Sequence, residues 1–290
     1  MISLSAVIAV VILTIMLGCE KVQLPDSEAD DGDSDGNLRI SVYQIEQTPF
    51  ASITRATEAV SAVCTRLNFA IYDESGSRLK QINQTSDKAA FGQCAFNLEA
   101  GNYQFVVVGH SAGGNPTMTN LSKIQFTNAT GYTDTFMYYG EVSIGEDPVD
   151  LDVTLNRNVS LCRFVITDDI PSGAKTLQFY YTGGSGAFNA VTGLGSVASK
   201  QTVTFDVTSG QKQFDLYTFL HEKDDNIALK VTALDGSGNA LYERQFDVPM
   251  QQNHITWLTG ALFNGSGPSS SNILEVKVNI TWAGETHLTF

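Results

Sequence analysis

From Leu38 onward this chain sustains no apolar stripe of helical period for three turns; Ala56 to Val63 is the best short helical candidate. Short runs alternate apolar and polar residues instead: Leu38-Arg39-Ile40-Ser41-Val42, Leu67-Asn68-Phe69-Ala70-Ile71 and Val276-Lys277-Val278-Asn279-Ile280-Thr281-Trp282. A period of two puts every second side chain on one face, so each run reads as a strand with one dry side. Turn chemistry separates the runs, as in Asp73-Glu74-Ser75-Gly76, Glu99-Ala100-Gly101-Asn102 and Asp235-Gly236-Ser237-Gly238-Asn239. These patterns predict an all-β fold of antiparallel sheets.

A strand ending at Val153-Thr154-Leu155 is followed, past Asn156-Arg157-Asn158, by a fresh one through Leu161-Cys162-Arg163-Phe164-Val165. The break divides the chain into an N-terminal part, 37–156, and a C-terminal part, 157–290. Each holds about seven strands at roughly ten-residue spacing, the pattern of a β-sandwich. The 290 residues suffice for two cores, and no close sequence repeat links the halves.

Residues 1–18 read as an export leader. Ile2 to Leu17 is apolar apart from Ser3, Ser5 and Thr14 and stops at Gly18-Cys19, too short for a comfortable membrane span. Met16-Leu17-Gly18-Cys19 resembles the lipobox of bacterial lipoproteins, in which the cysteine thiol takes the lipid. Two departures stand out: Met16 replaces the usual Leu, and no Lys or Arg opens the leader. The competing reading is a retained single-pass anchor. Residues 19–36 then carry the lipidated Cys19 and an acidic stretch without apolar periodicity, which makes them a tether. Asp31, Asp33, Asp35 and Gly36 mimic the first half of a calcium loop, but Val42 stands where its bidentate Glu belongs, so a solvated linker is the default.

The chain carries 17 Lys plus Arg against 31 Asp plus Glu, a formal net charge of −14. Phosphate backbones would be repelled, so nucleic acid is not expected as a partner. An exported chain can oxidise its cysteines, and Cys64 and Cys94, both beside predicted strands, are the preferred disulfide; Cys162 is then a small buried hydrophobe. With no CxxC or HxxxH pair, neither a metal nor a cofactor is expected.

Gly109-His110-Ser111-Ala112-Gly113 follows the apolar strand Tyr103 to Val108 and matches the G-x-S-x-G nucleophile elbow, whose serine needs a strand-to-helix turn. His221, His254 and His287 follow in a permitted triad order, yet Asn115-Pro116-Thr117 leaves no room for the helix. An esterase using Ser111 is therefore the remote reading and a Gly-rich loop the ordinary one. Gly183-Gly184-Ser185-Gly186 and Thr192-Gly193-Leu194-Gly195-Ser196 lack the Lys-Ser/Thr of a P-loop and read as wide loops. Tyr180, Tyr181 and Trp257 are candidates for stacking on sugar rings, which makes a surface glycan-binding lipoprotein the alternative function.

Several phrases taken together resemble the lipid-anchored fimbrial subunits of the FimB type, from Gram-negative gut and oral bacteria. They are the lipobox at Cys19, Cys64-Thr65-Arg66-Leu67-Asn68-Phe69, and Val107-Val108-Gly109-His110-Ser111 with Gly114-Asn115-Pro116-Thr117. The second half adds Asp169-Ile170-Pro171, Tyr181-Thr182-Gly183-Gly184-Ser185, Thr218-Phe219-Leu220-His221-Glu222, and Val248-Pro249-Met250 before Asn253-His254-Ile255-Thr256. The resemblance implies two transthyretin-like sandwiches and a non-catalytic anchor or accessory role in a surface fimbria at the outer membrane. Other fimbrial subunits would be its partners, with no small-molecule substrate. In similar pili a protease removes the first strand of shaft subunits, and a neighbour's C-terminal strand fills the groove. Here the retained strand would be Leu38 to Ile45, with Leu38, Ile40 and Val42 facing inward. The donor would be Ile273 to Phe290, through Val276, Val278, Ile280 and Trp282, unless that region simply completes its own sandwich. Arg55 is the candidate protease site; its cleavage would make the chain a polymerising subunit.

Overall fold

The computed structural model describes residues 36–46, 60–264, 273–275 and 284–290. Before the mid-chain break come β1 (Leu38–Glu46), the one-turn α1 (Val60–Val63), β2 (Arg66–Tyr72), β3 (Arg78–Thr85), β4 (Gln93–Phe96), β5 (Gly101–His110), β6 (Thr117–Asn120), β7 (Lys123–Gln125), β8 (Thr135–Ile144) and β9 (Val149–Arg157). After it come β10 (Ser160–Ile166), β11 (Thr176–Thr182), β12 (Ala187–Phe188), β13 (Gln201–Asp206), β14 (Gln213–Thr218), β15 (Asp224–Leu234), β16 (Ala240–Gln251), β17 (His254–Gly260), β18 (Ile273–Glu275) and β19 (Gly284–Thr289). The fold is all-β, as the alternating runs require.

The first half forms a seven-stranded sheet in the order β3-β2-β5-β8-β9-β1-β4. The second forms a four-stranded sheet, β13-β11-β15-β16, and a five-stranded one, β14-β10-β17-β19-β18. The two halves share one pairing scheme. β1 lies between antiparallel β4 and parallel β9, just as β10 lies between antiparallel β14 and parallel β17. β2 pairs with β3 and β5, and β11 with β13 and β15; β8 then extends β5 as β16 extends β15. This internal symmetry is absent from the side chains, because pairing is made by the backbone and many apolar sets satisfy it.

The parallel pairs β1–β9, β10–β17 and β17–β19 correct the expectation of purely antiparallel sheets. Adjacent hairpins force antiparallel pairing, whereas the strands of each of these three pairs are joined by a long path that permits the parallel one. Turn residues behave as read: Asp73 Oδ1 accepts from the Ser75 and Ser77 N–H groups, and Asp235 Oδ1 from those of Ser237 and Asn239.

Among the described residues three apolar cores organise these sheets. The first gathers Leu38, Ile40, Phe69, Phe105, Val107 and Leu155; the second gathers Phe164, Leu177, Phe179, Phe214, Leu229 and Leu258. Each buried Phe or Leu contributes about 1.5–3 kcal/mol relative to leaving it in water. The third core draws on both halves: Ala70, Tyr72, Val106 and Val108 pack with Met118, Phe126, Leu161, Phe188, Phe219 and Ile255. Above it, β12 from the second half pairs with β7 from the first, completing the three-stranded sheet β12-β7-β6. β2 and β5 are thus buried on both faces, Phe105 and Val107 toward the first core and Val106 and Val108 toward the shared one.

Candidate functional site

β1 is the element with the most unusual setting. Its ladder partners come from elsewhere in the chain, Leu38 to Ser41 against β4 and Leu38 to Glu46 against β9. Both edges are therefore used, and Leu38, Ile40, Val42 and Ile45 are buried in the first core. The skip between Val42 and Gln44 leaves Tyr43 outward, 72% exposed. Without β1, the β4 backbone and the facing edge of β9 would lose their partner across a trough lined by Phe96, Cys94, Val153 and Leu155. A strand is held there by main-chain hydrogen bonds, which any extended segment supplies, and selected by alternate side chains that must fit the trough.

At the other end of the chain, β19 runs parallel to β17, with His254 opposite Gly284 and Thr259 opposite Thr289, and β18 pairs antiparallel with β19. Phe290 donates its N–H to the Thr259 carbonyl at 2.9 Å and stacks on Phe164 with ring centroids 4.9 Å apart. The segment entering this region is fixed by Asp168, whose carboxylate accepts the backbone N–H groups of Leu262, Phe263 and Asn264 at 2.7–2.9 Å. Partial burial pushes this carboxyl up, and the three N–H donors outweigh it, holding it below the usual range. Sequence reasoning missed Asp168; an Asp is common in loops, and its partners lie 94–96 residues away.

A family model matches residues 31–288, and its description is a family of unknown function, DUF6562. The chain belongs to the DUF6562 family. No curated protein matches it. Similar solved structures include a candidate adhesin from Bacteroides ovatus ATCC 8483, 16% identical, covering 63% of this chain and 76% of that one with a TM-score of 0.44. The fimbrial anchor protein Mfa2 from Porphyromonas gingivalis is 14% identical over 71% of this chain and 80% of its own, with a TM-score of 0.40. A fimbrial assembly protein from Parabacteroides distasonis ATCC 8503 is 13% identical over 84% and 97%, with a TM-score of 0.37.

Of the residues singled out in this DUF6562 chain, Leu38, Ile40 and Val42 point into one core. Cys19, Arg55, Val276, Val278, Ile280 and Trp282 lie outside the described residues, as does the acidic stretch through Asp35. Cys64 and Cys94 correct the disulfide expectation, since both are free buried thiols, as is Cys162. Cys64 turns its Sγ to the Val60 carbonyl at 3.6 Å, while Cys94 sits on β4 opposite Ile40. Burial pushes the Cys64 thiol up to about 12 and those of Cys94 and Cys162 up as well, which keeps them protonated and inert.

The G-x-S-x-G match resolves into packing. A Cβ on Gly109 would lie 3.0 Å from Leu155 and 3.3 Å from the Cys64 sulfur, tight contacts that glycine avoids. Arg66 wraps the following loop, donating to the Ala112 and Gly113 carbonyls at 3.1 and 3.2 Å. Ser111 Oγ accepts the Thr65 N–H at 3.2 Å, and the chain continues into β6 in place of a helix. The downstream imidazoles are engaged elsewhere: His221 with the Gly195 carbonyl, His254 with that of Gln252, and His287 stacked on Trp257.

His110 is fully buried, with Nδ1 accepting the Ala112 N–H at 3.1 Å and Nε2 lying 2.8 Å from Asn68 Oδ1. That pattern needs the neutral tautomer with its proton on Nε2. Burial, reinforced by the Arg66 charge, brings its pKa down from 6.5 to about 4. Because the unfolded chain binds this proton first, the stabilisation is fully present above pH 6.5 and is lost as the pH falls toward 4. We expect stability to drop by about 3 kcal/mol across that window. Urea unfolding at successive pH values checks this, and His110→Gln should flatten the slope there.

The sugar-stacking candidates do not form one surface. Tyr181 is fully buried and donates its OH to the Tyr217 carbonyl at 2.9 Å; Tyr180 lies on the opposite face of the same strand. Trp257 holds the Arg163 guanidinium 4.9 Å from its ring. One Gly-rich loop serves the junction between the halves: the Gly186 carbonyl accepts the Phe126 N–H at 2.8 Å, and a Cβ on Gly186 would lie 2.9 Å from the Tyr132 hydroxyl.

Proposed function

We propose that this chain is a structural cell-surface lipoprotein, an anchor or accessory subunit of a FimB-type fimbria, lipidated at Cys19 and joined to its partners by β-strand addition. The observation that carries the reading is the seat of β1. A nine-residue strand is paired along its length with β9 and over Leu38 to Ser41 with β4, buries one face in the core, and draws its neighbours from distant parts of the chain. Such a strand is exchangeable in kind for one offered by another subunit. With β1 retained the trough is closed, which suits a subunit that ends a fibre; cleavage at Arg55 would open it and suit a polymerising one.

Cys19→Ala should shift the protein from the membrane fraction to the medium and release fimbriae with it, checked by fractionation and electron microscopy. Full membrane retention of that variant would refute lipid anchoring. N-terminal analysis of the surface protein separates the two roles: a lipidated Cys19 still joined to Leu38 marks the anchor, and a new terminus at Ala56 the polymerising subunit.

A further inference from the structure

Where the two halves meet, a cleft of about 610 Å³ runs between the loop of residues 128–133 and the strands β13 and β14. That volume lies within the usual range of ligand sites. No residue of β1 or β19 lines it, so what it does is separate from strand addition.

The cleft is held open by contacts across the halves. Asn128 Oδ1 accepts the Thr202 N–H at 3.0 Å, and its amide donates to the Lys200 carbonyl at 3.4 Å, fixing one rim. Among the lining residues the one formal charge is Asp215, which is cancelled by Arg163 through two hydrogen bonds of 2.7 Å. Neighbouring Asp134 is likewise paired with Arg157, and Lys212 with Asp169. An anionic or cationic ligand therefore finds no uncompensated counter-charge on the lining.

The lining offers hydroxyls, amides and rings instead. Thr202, Thr204, Gln213 and Tyr132 have side-chain polar groups that make no hydrogen bond to the described protein, while Tyr132, Tyr217 and Phe205 supply half-buried aromatic surface. Free neutral donors and acceptors beside aromatic faces match a ligand that is uncharged and dense in hydroxyls, with apolar C–H faces between them. We propose that this cleft binds a neutral oligosaccharide, with Thr202, Thr204, Gln213 and Tyr132 as its hydrogen-bonding contacts.

The test uses the full chain with neutral gluco- and manno-oligosaccharides, and polygalacturonate as the anionic counter-probe, followed by saturation-transfer NMR and titration calorimetry. A neutral oligosaccharide should bind. Thr204→Arg, an exposed substitution that fills the cleft with a charged side chain, should weaken it at least about tenfold, the equivalent of about 1.4 kcal/mol, at an unchanged melting temperature. Tyr132→Phe, which removes only the hydroxyl, should weaken it measurably. Binding of polygalacturonate alone, neutral binding undiminished in both variants, or no binding of any neutral oligosaccharide would overturn the proposal.

Discussion

Ile40→Asp should unfold the first half of the molecule. Ile40 is 1% exposed, sits opposite Cys94 on β4 and Leu151 on β9, and points into the core with Leu38 and Val42. A carboxylate there has no partner, and the penalty is on the order of 4–5 kcal/mol, a large share of the roughly 5–15 kcal/mol a domain possesses. The same residue tests strand addition directly. A chain shortened to begin at Ala56 should melt well below the intact protein and recover when the peptide Leu38–Glu46 is added in excess, whereas the Ile40→Asp peptide should not restore it. If the shortened chain melts at the intact temperature without peptide, β1 is dispensable and the trough is not a binding groove.

The second large effect is expected at the Arg157–Asp134 pair. The Arg157 side chain is 4% exposed, donates to both Asp134 oxygens at 2.7 and 2.8 Å, and lies 4.7 Å over the Phe136 ring. Asp134→Ala takes from that largely buried guanidinium its two charge-assisted hydrogen bonds and should cost about 3–5 kcal/mol, read as a lower urea midpoint at constant m. Adding Arg157→Met to it should recover most of the loss, because a buried guanidinium deprived of its carboxylate costs more than the attraction it has lost. An additive double variant would refute that account.

The nucleophile-elbow resemblance shows why one part of this sequence was ambiguous. Val106-Val107-Val108 reads as a strand covered on both faces, which in an α/β enzyme is the work of helices. Here the cover is a second set of strands, so the same apolar run arises without any catalytic frame. Asp168, Arg66 and His110 were illegible for a related reason. Each acts on groups brought near only by folding, and a single polar residue carries no periodicity to announce its partner. The cleft between the halves is likewise assembled from loop 128–133 and strands 201–217, segments with no common motif.

What the sequence alone determined was the all-β class and the inward face of β1, because a period of two along the backbone dictates which side chains share a side. Tertiary structure decided the rest: the parallel seating of β1 on β9, the repeated pairing scheme, the shared third core and the free state of Cys64 and Cys94. Those depend on which distant backbones meet, and that choice is made by the summed fit of many apolar side chains and not by any local signal.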